Sequence, residues 1–153
     1  MTSNVKASTY QRLLRINQLA TDAAKTHLQK VQNDYEQHRS KVETIQKQIE
    51  QLEDALVSMT SSKMGLDIPS FQQTSQYLQQ QQEHCDTAQA ELQLAKEQRD
   101  IALDALYQKK REENCLSNKE IEFQKELTLQ QEKRLQVEIT DNWLRRTNVY
   151  EPY

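Results

Sequence analysis

The residues of this chain that could do chemistry are few and scattered. Glu83-His84-Cys85 sets a carboxylate, an imidazole and a thiol side by side. Such a trio would suit a metal or a nucleophilic reaction if its side chains converged. On a helix they diverge, because immediate neighbours point to different faces. His27 and His38 stand apart from it. His38 falls on an apolar stripe, where a polar residue serves to set register. Cys85 and Cys115 match no zinc spacing and read as small apolar side chains in a reducing cytoplasm. Gly65 is the only glycine. Phosphate-cradling loops and dinucleotide turns need several, since glycine alone lets the backbone approach phosphate closely. No catalytic constellation, cofactor or metal site is expected, and the chain does not read as an enzyme.

Charge narrows the partners. Lys+Arg total 20 against 23 Asp+Glu, a formal net charge of -3. The basic run Lys109-Lys110-Arg111 is followed at once by Glu112-Glu113, which cancels most of its field. Nucleic-acid binding is not expected. No apolar run approaches the ~20 residues needed to span a bilayer, so no direct membrane insertion is expected. The opening MTSNVKASTY has no apolar core of a secretory signal, and the expected location is cytoplasmic. Trp143 followed by Arg145-Arg146 combines a bulky aromatic with two guanidinium groups. These are side chains typical of binding anchors, and their positive charge also suits a helix C-terminus.

The elements that position these residues follow from composition. Hydrophobic residues make up 35% of the 153, with one Gly and two Pro. A large single core is not expected from so apolar-poor a chain, and turns for an all-β fold are lacking. Long exposed helix remains. From residue 28 the positions Leu28, Val31, Tyr35, His38, Val42, Ile45, Ile49, Leu52, Leu56 and Met59 alternate steps of three and four, the seam of a left-handed coiled coil. Upstream, Leu13, Ile16, Ala20 and Ala24 continue the stripe with a stutter. Residues 1–8 read as polar and frayed, and Ser8-Thr9-Tyr10-Gln11 fits a capping box. Gly65 and Pro69 interrupt the pattern, and Ser70-Phe71-Gln72-Gln73 offers a second cap. A second seam opens at Phe71, Thr74, Leu78, Gln81, Cys85 and Ala88 and blurs after Leu106. Pro152 lies beyond its end.

The expected fold is all-α: a long antiparallel two-helix coiled-coil hairpin with unequal arms, a single unit over 1–153. Helix one covers about 9–60, the turn about 61–69 and helix two about 70–146. Folding about residue 65 sets large side chains of helix one opposite small ones of helix two, with Val42 facing Ala88. Helix one then runs out opposite about residue 121. Phe123, Leu127, Leu135, Ile139 and Trp143 are left without a partner in the chain. A row of such residues marks an interaction surface, unless helix two bends back or a second copy covers it. A structural coiled-coil adaptor that homo-oligomerises through this C-terminal overhang is one reading of that surface.

The residues also carry a family likeness. Leu13-Leu14-x-Ile16-x-x-Leu19-Ala20 is followed by Ala23-Ala24 and Tyr35-Glu36-Gln37. Phe71-Gln72-Gln73-x-x-Gln76-x-Leu78 opens the second helix. Lys109-Lys110-Arg111 leads to a charged end, Asp141-Asn142-Trp143-Leu144-Arg145-Arg146. In this combination, over nearly its whole length, the chain resembles the FliJ family of flagellar export and, more distantly, the YscO-type proteins of injectisomes. Late in helix one it departs from the flagellar pattern, with Ile45, Ile49, Leu52 and Leu56 where those members tend to carry tyrosines. The resemblance implies a non-enzymatic stalk of a bacterial type III export apparatus, peripheral to the inner membrane. Its two terminal ends would enter a hexameric export ATPase, with Leu13, Leu14, Trp143, Leu144, Arg145 and Arg146 against the ring. The other end would reach the cytoplasmic domain of the export gate, with Phe71 and Leu78 on the contact surface. Family members also escort export chaperones.

Overall fold

The computed structural model describes residues 2–149, with side chains placed from residue 5; Met1 and Pro152 lie outside the described residues. Two helices account for nearly all of it, α1 (Thr2–Thr60, 59 residues) and α2 (Ile68–Val149, 82 residues). They pack against each other as a helical hairpin, with no strand among the described residues. The fold is all-α and its arms are unequal. Gln, Glu, Lys, Leu and Ala dominate both segments, and these straight-chain residues and Ala lose little on entering a helix.

The helix ends differ from the sequence expectation in instructive ways. α1 begins at Thr2, not near residue 9. Ser8, the expected cap, is inside it, and the hydroxyl of its neighbour Thr9 donates back to the Val5 carbonyl at 2.8 Å. At the other end, the Ser61 N–H and hydroxyl both donate to the Val57 carbonyl, at 3.1 and 2.9 Å. Gly65 then turns the chain with φ of 91°, the left-handed region in which a side chain is strained. α2 is capped by Asp67, not Ser70. The Asp67 carbonyl receives the Phe71 N–H at 3.0 Å, and the Ser70 hydroxyl donates to Asp67 Oδ2 at 2.6 Å. A carboxylate suits the positive end of the helix dipole. Pro69 sits in the first turn, where a missing N–H costs no intrahelical bond.

Packing is organised in two compact units. One is Ala23–Leu106, on either side of the turn. Its buried residues are Val31 and Val42 from α1, with Cys85, Ala88, Ala95, Ala102 and Leu106 from α2. Branched side chains on one helix thus oppose mostly alanines on the other, which lets the two backbones approach. Tyr35 and His38 fill seam positions by reaching across. The Arg99 guanidinium lies 4.2 Å from the Tyr35 ring centroid, a cation–π contact that holds an arginine on an otherwise apolar stripe. Glu91 takes His38 Nδ1 at 3.7 Å and Lys41 Nζ at 3.6 Å. These crossings lie within about one helical turn of the pairing set by a fold about residue 65.

The second unit joins Met1–Asp22 with Tyr107–Tyr153. Here the structure corrects the expected stripe. Leu13 and Ile16 are exposed, 45% and 63%. The covered positions Ala7, Tyr10, Leu14, Asn17 and Thr21 keep the alternation of three and four without a stutter, while Ala20 and Ala24 of the expected stripe are partly covered as well. Thr21 is buried, its hydroxyl donating to the Asn17 carbonyl at 2.9 Å. Asn17 Nδ2 donates across to Glu112 Oε2 at 3.4 Å, and Lys109 Nζ meets the same oxygen at 3.4 Å. On α2 the seam does not blur after Leu106. It runs on through Lys109, Glu113, Leu116, Glu120, Phe123 and Leu127, all partly covered. Phe123 has a partner after all, since its ring meets Tyr10 at a centroid distance of 5.8 Å. The reason is a pairing about three residues further along α2 than a fold about residue 65 sets for Tyr10.

Ala88 is only 2% exposed, so Ala88→Leu forces side-chain volume into a closed contact. The expected cost is about 1–3 kcal/mol of unfolding free energy, read as a lower urea midpoint by circular dichroism. An unchanged midpoint would show that the helices are not in close contact there.

Candidate functional site

A two-helix packing offers little for catalysis. Among the described residues no group of three His, Cys, Asp or Glu is placed to hold a metal ion. Cys85 is buried in the seam while Glu83 and His84 are exposed, so Glu83-His84-Cys85 does not converge, and Cys115 is exposed elsewhere on α2. The surface depressions are open to solvent; one, lined by Asn142, Arg145, Arg146 and Val149, lies along a single helix. What the chain does offer is large apolar side chains left exposed.

The largest such surface begins where the seam ends. Every residue from 128 to 149 is exposed. The uncovered stretch thus starts past Leu127, not near residue 121. Within it, Leu135, Ile139 and Trp143 are 57%, 67% and 63% exposed. Their spacing of four aligns them along one face. The seam's own rhythm, continued past Leu127, runs through Gln130, Arg134, Val137, Asp141 and Leu144. That face is mostly polar, and it lies roughly 170° around the helix from the Leu135-Ile139-Trp143 row. The row therefore faces away from the side on which α1 packs. Val137 and Leu144 put apolar surface on the seam side as well, so the stretch is greasy on more than one face.

The residues singled out from sequence are distributed as follows. Trp143, Leu144, Arg145 and Arg146 are all exposed on this stretch, with Arg146 in the last turn of α2. Leu13 is exposed on α1, while the adjacent Leu14 is half-buried on the seam. The structure does not bring the two sets together. Tyr10 meets Phe123, and Trp143 stands twenty residues further along α2, about 30 Å by helical rise. Phe71 and Leu78 are half-buried seam residues in the first turns of α2. They come near one another along one face but present little free surface.

A second exposed cluster was missed in the sequence. Val57, Met64, Leu66 and Ile68 surround the turn, and Met64 is 99% exposed. The available signal was the run Met64-Gly65-Leu66-Asp67-Ile68-Pro69, in which three large apolar residues stand in a loop instead of on a stripe. Solvated loops are normally polar.

Comparison with known proteins adds a family. The family model described as "FliJ: Flagellar FliJ protein" matches residues 6–137. The matched span takes in both helices and holds Leu13, Leu14, Phe71 and Leu78; Trp143–Arg146 lie beyond it. No curated protein and no solved structure matches the chain.

The distal pair Trp143-Leu144 and the packed Phe123 should respond unequally to truncation. Trp143→Ala with Leu144→Ala removes side chains that touch no partner, and the expected change in unfolding free energy is below about 0.5 kcal/mol. Phe123→Ala removes a half-covered ring packed on Tyr10, at an expected cost of about 1–2 kcal/mol. Thermal or urea unfolding of the variants checks both, and a large loss from the first pair would mean that the distal stretch is packed on its own chain.

Proposed function

The chain belongs to the FliJ family of flagellar proteins, which gives it a part in flagellar export, and we propose that it plays that part as a non-enzymatic stalk between a hexameric export ATPase and the export gate. The observation that carries this reading is the stretch from 128 to 149, uncovered and apolar on more than one face. A flat partner covers one side of a helix. A pore covers all sides, and each large side chain it dries contributes about 1.5–3 kcal/mol. The basic pair Arg145-Arg146 at the helix end gives the same segment a charged tip for acidic or backbone acceptors in the ring.

In this reading Leu13 and Leu14 meet the rim of the ring while Trp143, Leu144, Arg145 and Arg146 go deeper, because helical rise separates the two sets. The turn end faces the cytoplasmic domain of the gate. Phe71 and Leu78 lie in that region, and the exposed Met64, Leu66 and Ile68 supply the free apolar surface that those two lack. The stalk works beside the membrane, not through it; among the described residues no helix is long and apolar enough to cross a bilayer. Escort of export chaperones would use the solvated outer faces of the same hairpin. In this reading the chain needs no pocket, only two ends with different partners, one at the ring and one at the gate.

The purified chain should stimulate ATP hydrolysis by its cognate hexamer, and Trp143→Ala with Leu144→Ala should cut that stimulation about tenfold or more, as expected when two interface anchors are truncated. Met64→Asp should spare the stimulation and weaken capture of the gate domain. Failure of the unmodified chain both to bind and to stimulate the hexamer would overturn the reading.

A further inference from the structure

The Leu135-Ile139-Trp143 row is symmetric about its centre. Glu132 lies three residues before Leu135, and Arg146 lies three residues after Trp143. The spacing Glu132, Leu135, Ile139, Trp143, Arg146 therefore runs three, four, four, three, and it reads the same in both directions except for the sign of the charge. All five side chains fall on one face of α2, and all five are exposed. When a second copy of that face is laid antiparallel on the first, Ile139 meets Ile139. Leu135 meets Trp143 twice, and Glu132 meets Arg146 twice. A parallel copy would set Glu132 on Glu132 and Arg146 on Arg146, which repel.

We propose that two copies of this chain pair antiparallel through the Glu132–Arg146 face of α2, centred on Ile139. The partner is fixed by complementarity: an apolar centre closed at each end by an ion pair of opposite sense is the arrangement of an isologous two-fold contact. Lys133 and Arg145, which this register would also align, lie about 120° away from the row and do not meet. The seam-side face with Val137 and Leu144 is broken by Arg134 and Asp141, and it makes no such self-match. Only a few apolar residues per copy are dried, so the pairing is weak and reversible. It keeps the row out of water while the segment is free and gives way to any partner that surrounds the helix. The contact does not depend on the stalk reading, since it needs nothing but the chain itself.

Sedimentation equilibrium of the full chain at low ionic strength tests the contact. The expected result is a monomer–dimer equilibrium with a dissociation constant on the order of 10–100 μM, weakening as salt rises. Ile139→Arg should abolish it without loss of helix by circular dichroism, because Ile139 is 67% exposed and supports nothing within the chain. Glu132→Arg and Arg146→Glu should each raise the dissociation constant about threefold to tenfold, since each turns two attractive pairs repulsive. The double variant, Glu132→Arg with Arg146→Glu, should bring it back toward the starting value. A chain that stays monomeric to several hundred micromolar, on the order of where so small a contact must show, overturns the proposal. So does a dimer indifferent to Ile139→Arg, or a double variant no better than the singles.

Discussion

The rest of the structure depends on keeping phase. A chain with so little apolar surface holds two long helices together only if each helix presents the same narrow stripe, turn after turn, to the other. α1 does this from Ala7 to Met59 and α2 from Phe71 to Leu127, each in an unbroken alternation of three and four. Drift of one position would rotate the stripe by about 100° and put charged residues into the contact. The chain tolerates Asn17, Thr21, Lys109, Glu113 and Glu120 on the stripe because breaking the rhythm would cost more than covering a few polar side chains that bond to each other or reach water at the edges.

That trade-off explains what could be read from the sequence and what could not. Between Leu28 and Met59, and between Phe71 and Leu106, apolar residues occupy most of the stripe, with His38, Thr74, Gln81 and Arg99 as its polar members, and hydropathy is enough to locate it. The class of fold and the inequality of the arms follow from the same pattern, together with the single glycine. Near the termini the signal inverts. Leu13 and Ile16 are apolar yet face water, while Asn17 and Thr21 are polar yet face the other helix. Reading by hydropathy places a stutter there and loses the seam after Leu106. Counting strictly in sevens from the clear region, and accepting a polar residue at each step, recovers the whole stripe. The cap of α2 was missed for a related reason. Ser70 has the side chain of a cap and a glutamine three residues on, but Asp67 is the residue that stands just before the first helical position.

The candidate site was legible in outline. The exposed row beyond the seam and the basic pair at its end were both visible as residue types. Its starting point was not, because that depends on where α1 begins, and Thr2 offers no stronger start signal than Ser8. The opposite placement of the distal row relative to the seam was also hidden until the seam's phase was settled as far as Leu127. Only then do Leu135, Ile139 and Trp143 stand out as residues that α1 could never have served, however long it were.

The bare portion of α2 has one more consequence. Paired helix is held by its neighbour, whereas residues 128–149 are held only by their own ladder of backbone bonds and by what the paired part nucleates. A lone rod of roughly twenty residues in water sits near the balance between coil and helix, so its amides exchange with solvent sooner than those of the joined region. Whatever grips it must complete its ordering, and that demand lowers affinity while hastening release. On the stalk reading proposed above, such a grip would form quickly and let go quickly.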